Sequence, residues 1–470
     1  MSAARGNESI TRMLSISPLS AGVASLRDAL AGSVVLPGED GWDAARQAWN
    51  LAVDQRPALV ALPESAADVQ ALVDFARSYG LRVAMQGTGH NAAPMGPLED
   101  TVLVKTERMR GVEIDVEGRR ARAEAGALWA DVTAPASEHG LAPLSGSSPN
   151  VGVVGYFLGG GVSLGLARAF GVAANSVLAF EVVTADGRLR RVDADHDADL
   201  FWALRGGGGS FAIVTAVEFT LYAVPELYGG VMLWPAERAR EVLEAWVAFT
   251  RTAPDAFTST VRLMNVPDLP EIPELVRGRQ LVAIDGVHVG PADEGAALTA
   301  PFRALGPEVD GFGPLLPVAL SYVHMDPEEP MAGCSDSQLL DDVTAETIDR
   351  ILAVAAPQPD TPLAAVELRH LGGAMARRPE GAGVVGAFDA PYVAFAVGPA
   401  FDPALTAAVE AHLALLRDAL RPEDSGREYL NFAERSRDAS AFFGAGDLAR
   451  LRAVKAEVDP EGMILANHPV

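Results

Sequence analysis

Cysteine is almost absent: Cys334 is the only one in 470 residues. A single thiol excludes an intrachain disulfide and a thiolate metal cluster. No metal is expected, and folding needs no oxidising compartment. Positive charge is also scarce, with 37 Lys and Arg against 62 Asp and Glu and a formal net charge of −25. Such a surface repels nucleic-acid phosphates and anionic membranes, so neither is an expected partner. Long apolar runs are lacking too. The longest, Val151 to Leu166, is broken by Gly152, Gly155, Gly159, Gly160, Gly161 and Gly165 and is short for a membrane span. Residues 1–30 carry neither a continuous apolar core nor a small-residue cleavage site, so a cytoplasmic address is expected. Aromatic residues make up only 6% and do not point to a substrate.

Glycine, by contrast, is plentiful and clustered. After Asn50 the chain reads as strand, helix, strand. Ala58 to Leu62 is an apolar run, Ser65 a helix N-cap, and Val69, Leu72, Val73 and Ala76 share helical spacing before Gly80. Leu81 to Met85 is the next strand, parallel to the first through one crossover helix. Val102 to Val104 is a further strand, and Val112 to Val116 with Arg120 to Glu124 forms a hairpin. Val177 to Thr184 and Arg188 to Val192 flank Asp186-Gly187, a tight-turn pair. Beyond Pro225 the composition shifts. Strands at Gly230 to Trp234, Thr258 to Met264, Leu281 to Val289, Ala364 to Leu371 and Tyr392 to Val397 alternate with helices at Ala236 to Thr250, Asp293 to Leu305, Asp341 to Ala355 and Pro403 to Leu420. The fold class expected is α+β.

Four constellations carry chemistry. Gln86-Gly87-Thr88-Gly89-His90-Asn91-Ala92 follows a strand and matches G-x-G-x-x-A. That nucleotide fingerprint needs a helix to open at its glycines. Pro94, Gly96 and Pro97 prevent one, which counts against an NAD(P) enzyme and leaves a backbone nest able to hold phosphates. The second constellation, Ser145 to Gly155 and on to Gly161, lets backbone approach a ligand, or another backbone, closely. The third, Gly206 to Gly209 before Ile213 and Val214, is either a connector or a ligand-facing turn. In the fourth, a period-2 strand would send Tyr429 and Asn431 to one face, toward a ligand or merely half-buried.

In this order the four constellations resemble FAD-linked oxidases of the vanillyl-alcohol-oxidase fold, berberine-bridge-enzyme-like branch. The resemblance implies a two-part FAD-binding domain, residues 30–225 and a returning segment 426–470, around a substrate domain, 226–425, whose antiparallel sheet is covered by helices. It assigns Gln86, Gly87, Thr88, Gly89, His90, Asn91, Gly146, Ser147, Ser148, Val151, Gly152, Gly155, Gly160, Gly161, Gly209, Ile213, Val214, Asn431 and Asn467 to FAD. It implies attachment of the flavin through His90. Some relatives add a cysteine bond where Ser148 stands; a hydroxyl cannot supply that thioether, so no second attachment is expected. Tyr429 is the candidate base. Its phenol needs a nearby cation or strong donors to give up its proton, and Arg369 or His370 is the candidate. Glu367, Arg369 and His370 are the candidate substrate contacts, with alternation placing Glu367 and Arg369 on one face and Val366 and Leu368 on the other. The implied reaction takes hydride from a C–H bond of a small molecule and passes electrons to O₂. A dehydrogenase with another acceptor, or a non-redox protein that binds natural products, is the alternative. Oligomeric state is not legible.

Overall fold

A computed structural model describes residues 22–270, 272–355 and 361–470. Residues 1–21, where most of any leader would lie, are outside the described residues. The strand–helix–strand unit forms where the sequence places it. Strand Leu59–Leu62 is wholly buried, and helix Ala66–Tyr79 opens where the Ser65 hydroxyl accepts from Asp68 N at 3.2 Å. Gly80 ends it in the left-handed conformation, φ 65°. Strand Arg82–Gln86 runs parallel to Leu59–Leu62, but Thr101–Lys105 is inserted between them and pairs with both. Strand Ile464–Leu465 adds in parallel beyond Arg82–Gln86, which brings the chain's end back to this sheet.

A second sheet is antiparallel, in the order Val112–Asp115, Arg120–Glu124, Ile213–Thr220, Val177–Val183, Leu189–Asp193. Its Asp186-Gly187 connection is wider than a two-residue turn. Only Gly187 takes positive φ, and Thr184 closes the loop by donating to Arg188 O at 3.1 Å. The two sheets meet around Val183 and Ile213, packed against Val69, Leu72 and Val104.

The middle of the chain forms one antiparallel sheet containing Leu227–Pro235, Gln280–Val289, Phe257–Asn265, Ala365–His370, Tyr392–Pro399 and Gly333–Leu340 in that spatial order. Gly333–Leu340 was not expected as a strand. Its GCSDSQLL sequence has no β-branched residue, and it is recruited by pairing with Tyr392–Pro399 along its length. Helices Ala239–Thr250, Ala292–Ala304, Ala345–Val354 and Pro403–Leu420 cover one face, where Val261, Leu263, Ile284, Val366 and Leu368 are buried. Period-2 alternation sends Arg262, Asp285, Glu367 and Arg369 to the other face, toward the N-terminal half. The expected strand at Tyr429 to Asn431 does not form. Among the described residues no strand takes up its backbone, and Leu430–Phe432 closes instead into a 3₁₀ turn, Phe432 N donating to Tyr429 O at 3.0 Å. Among the described residues no helix is long and apolar enough to cross a membrane.

Candidate cofactor and substrate site

The parallel strand Arg82–Gln86 delivers the first glycine loop. Gly89 takes φ 84°, and a Cβ there would stand 2.8 Å from that of Ala48, so only glycine fits. No α-helix follows; Ala93–Met95 makes one 3₁₀ turn, in keeping with Pro94 and Pro97. The His90 ring stacks on Trp49 at 4.0 Å and 24°. Burial pulls its pKa down to about 4, against a smaller opposing effect of Asn150. The imidazole is therefore neutral, and its Nε2 has no partner.

The loops meet one another. Thr88 Cγ2 is the nearest atom to a Cβ built on Gly152, at 3.9 Å, and Ala466 and Leu158 are nearest to one on Gly209, at 3.8 and 4.0 Å. Asn91 Nδ2 donates to Leu430 O at 3.2 Å, and Asn467 Nδ2 to Asn91 O at 3.5 Å. Asn431 Nδ2 donates to Tyr156 O at 3.0 Å. Gly146 packs on the Tyr156 ring, while Gly160 lies against Val385 and Tyr429. Val151 O accepts from Trp129 N, and the Ser148 hydroxyl is engaged with Asn150 Oδ1 at 2.7 Å. Ile213 and Val214 are buried at the start of their strand. A methyl group at Gly87, Gly152, Gly155, Gly208 or Gly209 would meet no atom closer than 3.7 Å. Gln86 Oε1 and Nε2, Asn91 Oδ1, Ser210 Oγ, Trp49 Nε1 and His90 Nε2 are all buried without a protein partner. Such groups are costly unless a ligand satisfies them. A long polar cofactor with oxygen and nitrogen edges fits this lining, and backbone N–H groups fit its phosphates.

Gly159 anchors this arrangement. A Cβ there would fall 1.2 Å from Asn431 Oδ1. Gly159→Ala is expected to displace the Asn431 amide and break its bond to Tyr156 O, costing about 1 kcal/mol. The check is a lowered thermal midpoint; an unchanged midpoint would contradict it.

The Tyr429 ring lies edge-on to Phe388 and Phe432, at 5.3 and 4.9 Å. Burial raises its pKa. Arg369, the Asn431 amide and the backbone N–H groups of Val162 and Gly161 pull the other way without offsetting it, so the phenol keeps its proton at neutral pH. His370 contributes nothing here. Alternation turns it to the helix-covered face, where it stacks on Tyr392 at 5.7 Å and meets Arg168 Nη1 at 3.0 Å. Burial and Arg168 lower its pKa to about 3, so it carries no charge.

Facing Tyr429 is a buried ion cluster that sequence reasoning saw only in part. Arg369 Nε donates to Glu367 Oε1 at 2.7 Å, and its guanidinium lies 4.9 Å over the Phe432 ring. Glu367 Oε2 accepts from His324 Nε2 at 2.9 Å, and His324 Nδ1 reaches Asp285 at 3.2 Å. Arg262 Nε stands 2.9 Å from Asp285. Asp326 joins from the His324 loop, 3.7 Å from Nε2, and its other oxygen accepts from Ser147 Oγ at 2.5 Å. Burial and Arg262 lower the His324 pKa, but Asp285, Asp326 and Glu367 outweigh them and lift it to about 9. Burial raises Glu367, yet Arg369, His324 and Arg262 bring it to about 2. Arg262 and Asp285 did leave a signal, each being a charge inside an apolar strand; His324 and Asp326 left none, because their loop has no periodicity.

Comparison with known proteins bears on this site. A family profile described as an FAD binding domain matches residues 57–193. (R)-6-hydroxynicotine oxidase from Paenarthrobacter nicotinovorans is 35% identical over 204 residues, 43% of this chain and 44% of that protein. The chain thus spans less than half of that relative's length. The structure of 6-hydroxy-D-nicotine oxidase from Arthrobacter nicotinovorans superposes with TM-score 0.78 at 26% identity, covering 93% of this chain and 96% of that one. Wild-type BBE-like 1 of Physcomitrella patens shares the fold at TM-score 0.83 and 19% identity, over 96% and 98% of the two chains.

Proposed function

We propose that the chain, which matches an FAD binding domain over residues 57–193, resembles a hydroxynicotine oxidase in sequence and structure and shares its fold with a BBE-like protein, is an FAD-dependent oxidase of a small alcohol, sugar or secondary metabolite, of the vanillyl-alcohol-oxidase fold and its berberine-bridge-enzyme-like branch. One observation carries this reading. Unpartnered buried polar atoms gather on the first glycine loop, at Gln86, His90 and Asn91, with Trp49 beside it and Ser210 after the third loop; Asn91 is tied to Leu430 and Asn467 of the C-terminal segment, and Gly160 of the second loop lies against Tyr429. FAD, when bound, accepts two electrons from a substrate C–H bond, and O₂ is the expected final acceptor.

The chain's own residues supply the rest. His90 is the attachment point: a neutral ring nitrogen has the lone pair that bond formation needs. Ser148 makes no second bond, since its hydroxyl is engaged with Asn150. Tyr429 takes the substrate's hydroxyl proton at its phenol oxygen in the deprotonated minority form, which burial disfavours and which Arg369, the Asn431 amide and the Val162 and Gly161 N–H groups favour. Phe388 and Phe432 pack against that phenol and exclude water. Glu367 and Arg369 form the polar wall of the substrate space.

The test is the visible spectrum before and after acid precipitation. A yellow pellet is expected, and His90→Ala is expected to move the colour to the supernatant. A pellet that stays yellow would place the attachment elsewhere, and a protein without flavin would refute the reading. Reduced protein that is inert to air-saturated buffer would mark a dehydrogenase instead.

A further inference from the structure

On the sheet face turned toward the cofactor loops, two adjacent donors remain unused. Thr260 and Arg262 stand two residues apart on strand Phe257–Asn265 and so share a face. Register places Thr260 between Asp285 and Arg369, and Arg262 beside Glu367. Thr260 is 1% exposed and Arg262 5%. Arg262 Nη1 donates to His324 O at 2.8 Å, and Nε lies close to Asp285 without being aimed at it. Among the described residues Arg262 Nη2 and Thr260 Oγ1 have no hydrogen-bond partner. A buried unpaired hydroxyl is destabilising, and an unpaired guanidinium N–H pair more so. Neither cost brings a benefit to the fold, because among the described residues no group accepts a hydrogen bond from them.

Charge around the pair is already balanced. Arg262, Arg369 and the His324 imidazolium face Asp285, Glu367 and Asp326. An additional charge brought into this cluster would be left without a counter-ion.

We propose that Thr260 Oγ1 and Arg262 Nη2 form a substrate subsite for an uncharged oxygen acceptor, a hydroxyl or carbonyl group, and that the closed ion cluster around them rejects carboxylate and ammonium groups at the same position. This rests on the FAD-site reading above. It narrows the substrate class to neutral, oxygen-bearing molecules. A site built around unfilled donors discriminates sharply against ligands that lack the matching acceptor.

Acetamide, acetate and methylammonium are all small and differ in charge. They are titrated into the flavin-loaded protein while the visible flavin band is followed. Acetamide is expected to perturb the band at concentrations at least about 10-fold lower than either ion. Arg262→Lys keeps the positive charge beside Asp285 but removes Nη2, and Thr260→Val keeps the shape but removes the hydroxyl. Each is expected to weaken acetamide about 10-fold, in line with the loss of one hydrogen bond. A second readout needs no ligand. Thr260→Val is expected to raise the thermal midpoint by removing an unsatisfied buried hydroxyl, whereas a hydroxyl with a structural role would lower it. Equal or tighter binding of either ion, unchanged acetamide binding in both variants, no response to any probe, or a lowered Thr260→Val midpoint would overturn the subsite. Protein lacking flavin would instead refute the FAD reading, and the midpoint comparison would still judge the donor pair.

Discussion

Replacing His324 with leucine is expected to destabilise the protein by about 3–5 kcal/mol, the usual cost of removing one partner from a buried ion pair. The physical reason is a count of donors. An imidazolium has two N–H groups, and His324 directs one at Glu367 and the other at Asp285. Leucine donates nothing, so two buried carboxylates would be left sharing Arg262 and Arg369. The same residue ties together parts distant in sequence. His324 and Asp326 flank Met325, a non-glycine residue at φ 58°, whose unusual backbone turns one neighbour into the sheet and the other to Ser147. Farther along this loop, Asn150 Nδ2 donates to Glu328 O, and Leu51 N donates to Met331 O at 2.9 Å. The sign of the pH dependence follows from the raised pKa. The stabilisation is complete below the unfolded value near 6.5 and is lost as pH rises through about 9. The thermal midpoint of the wild type should therefore fall across that window, and that of His324→Leu should change less. Glu367 works at the other extreme. Its depressed pKa makes its contribution complete above the unfolded value of about 4.5 and lost as pH falls through about 2. Parallel midpoint curves for wild type and variant between pH 6.5 and 9 would refute the donor count.

Tyr429→Phe is expected to lower kcat about 10²- to 10⁴-fold, the range for loss of a positioned acid–base group. Phenylalanine preserves the ring contacts with Phe388 and Phe432, so the fold should survive. Burial raises the phenol pKa despite four groups that favour the phenolate. If the deprotonated form abstracts the substrate proton, the wild-type rate rises with pH through the neutral range. The variant loses that rise along with its rate. The measurement is kcat against pH with any alcohol or sugar found to reduce the bound flavin. A variant with full kcat, or one slowed but with the pH slope intact, would remove Tyr429 from proton transfer.

The N-terminal half was largely legible, for a local reason. Ser65, Gly80 and the apolar spacing between them specify a helix whatever it packs against. Pro94 and Pro97 forbid a helix at the first glycine loop with the same independence of context. Alternation correctly separated Glu367 and Arg369 from Val366 and Leu368. His370 belongs to the second set by that rule; it was nominated for its chemistry, and the strand's pleat turns it away. Gly333–Leu340 was missed because its pairing with Tyr392–Pro399 is non-local. The turn at Leu430–Phe432 was misread as a strand because spacing alone cannot show whether a neighbour is present to pair with it.

What the sequence determined by itself is local: glycine loops, a histidine at the tip of one, and Ser148 where some members of the family it resembles carry a cysteine. These are properties of residue type and immediate neighbours. What only the tertiary structure decided is the electrostatics. Asp285, His324 and Glu367 come from two strands and a loop, and opposite charges brought together there hold each in its charged form. His90 is neutral because it is buried, and the Tyr429 phenol keeps its proton for the same reason. Burial and through-space charge depend on which segments meet, and local sequence does not encode that.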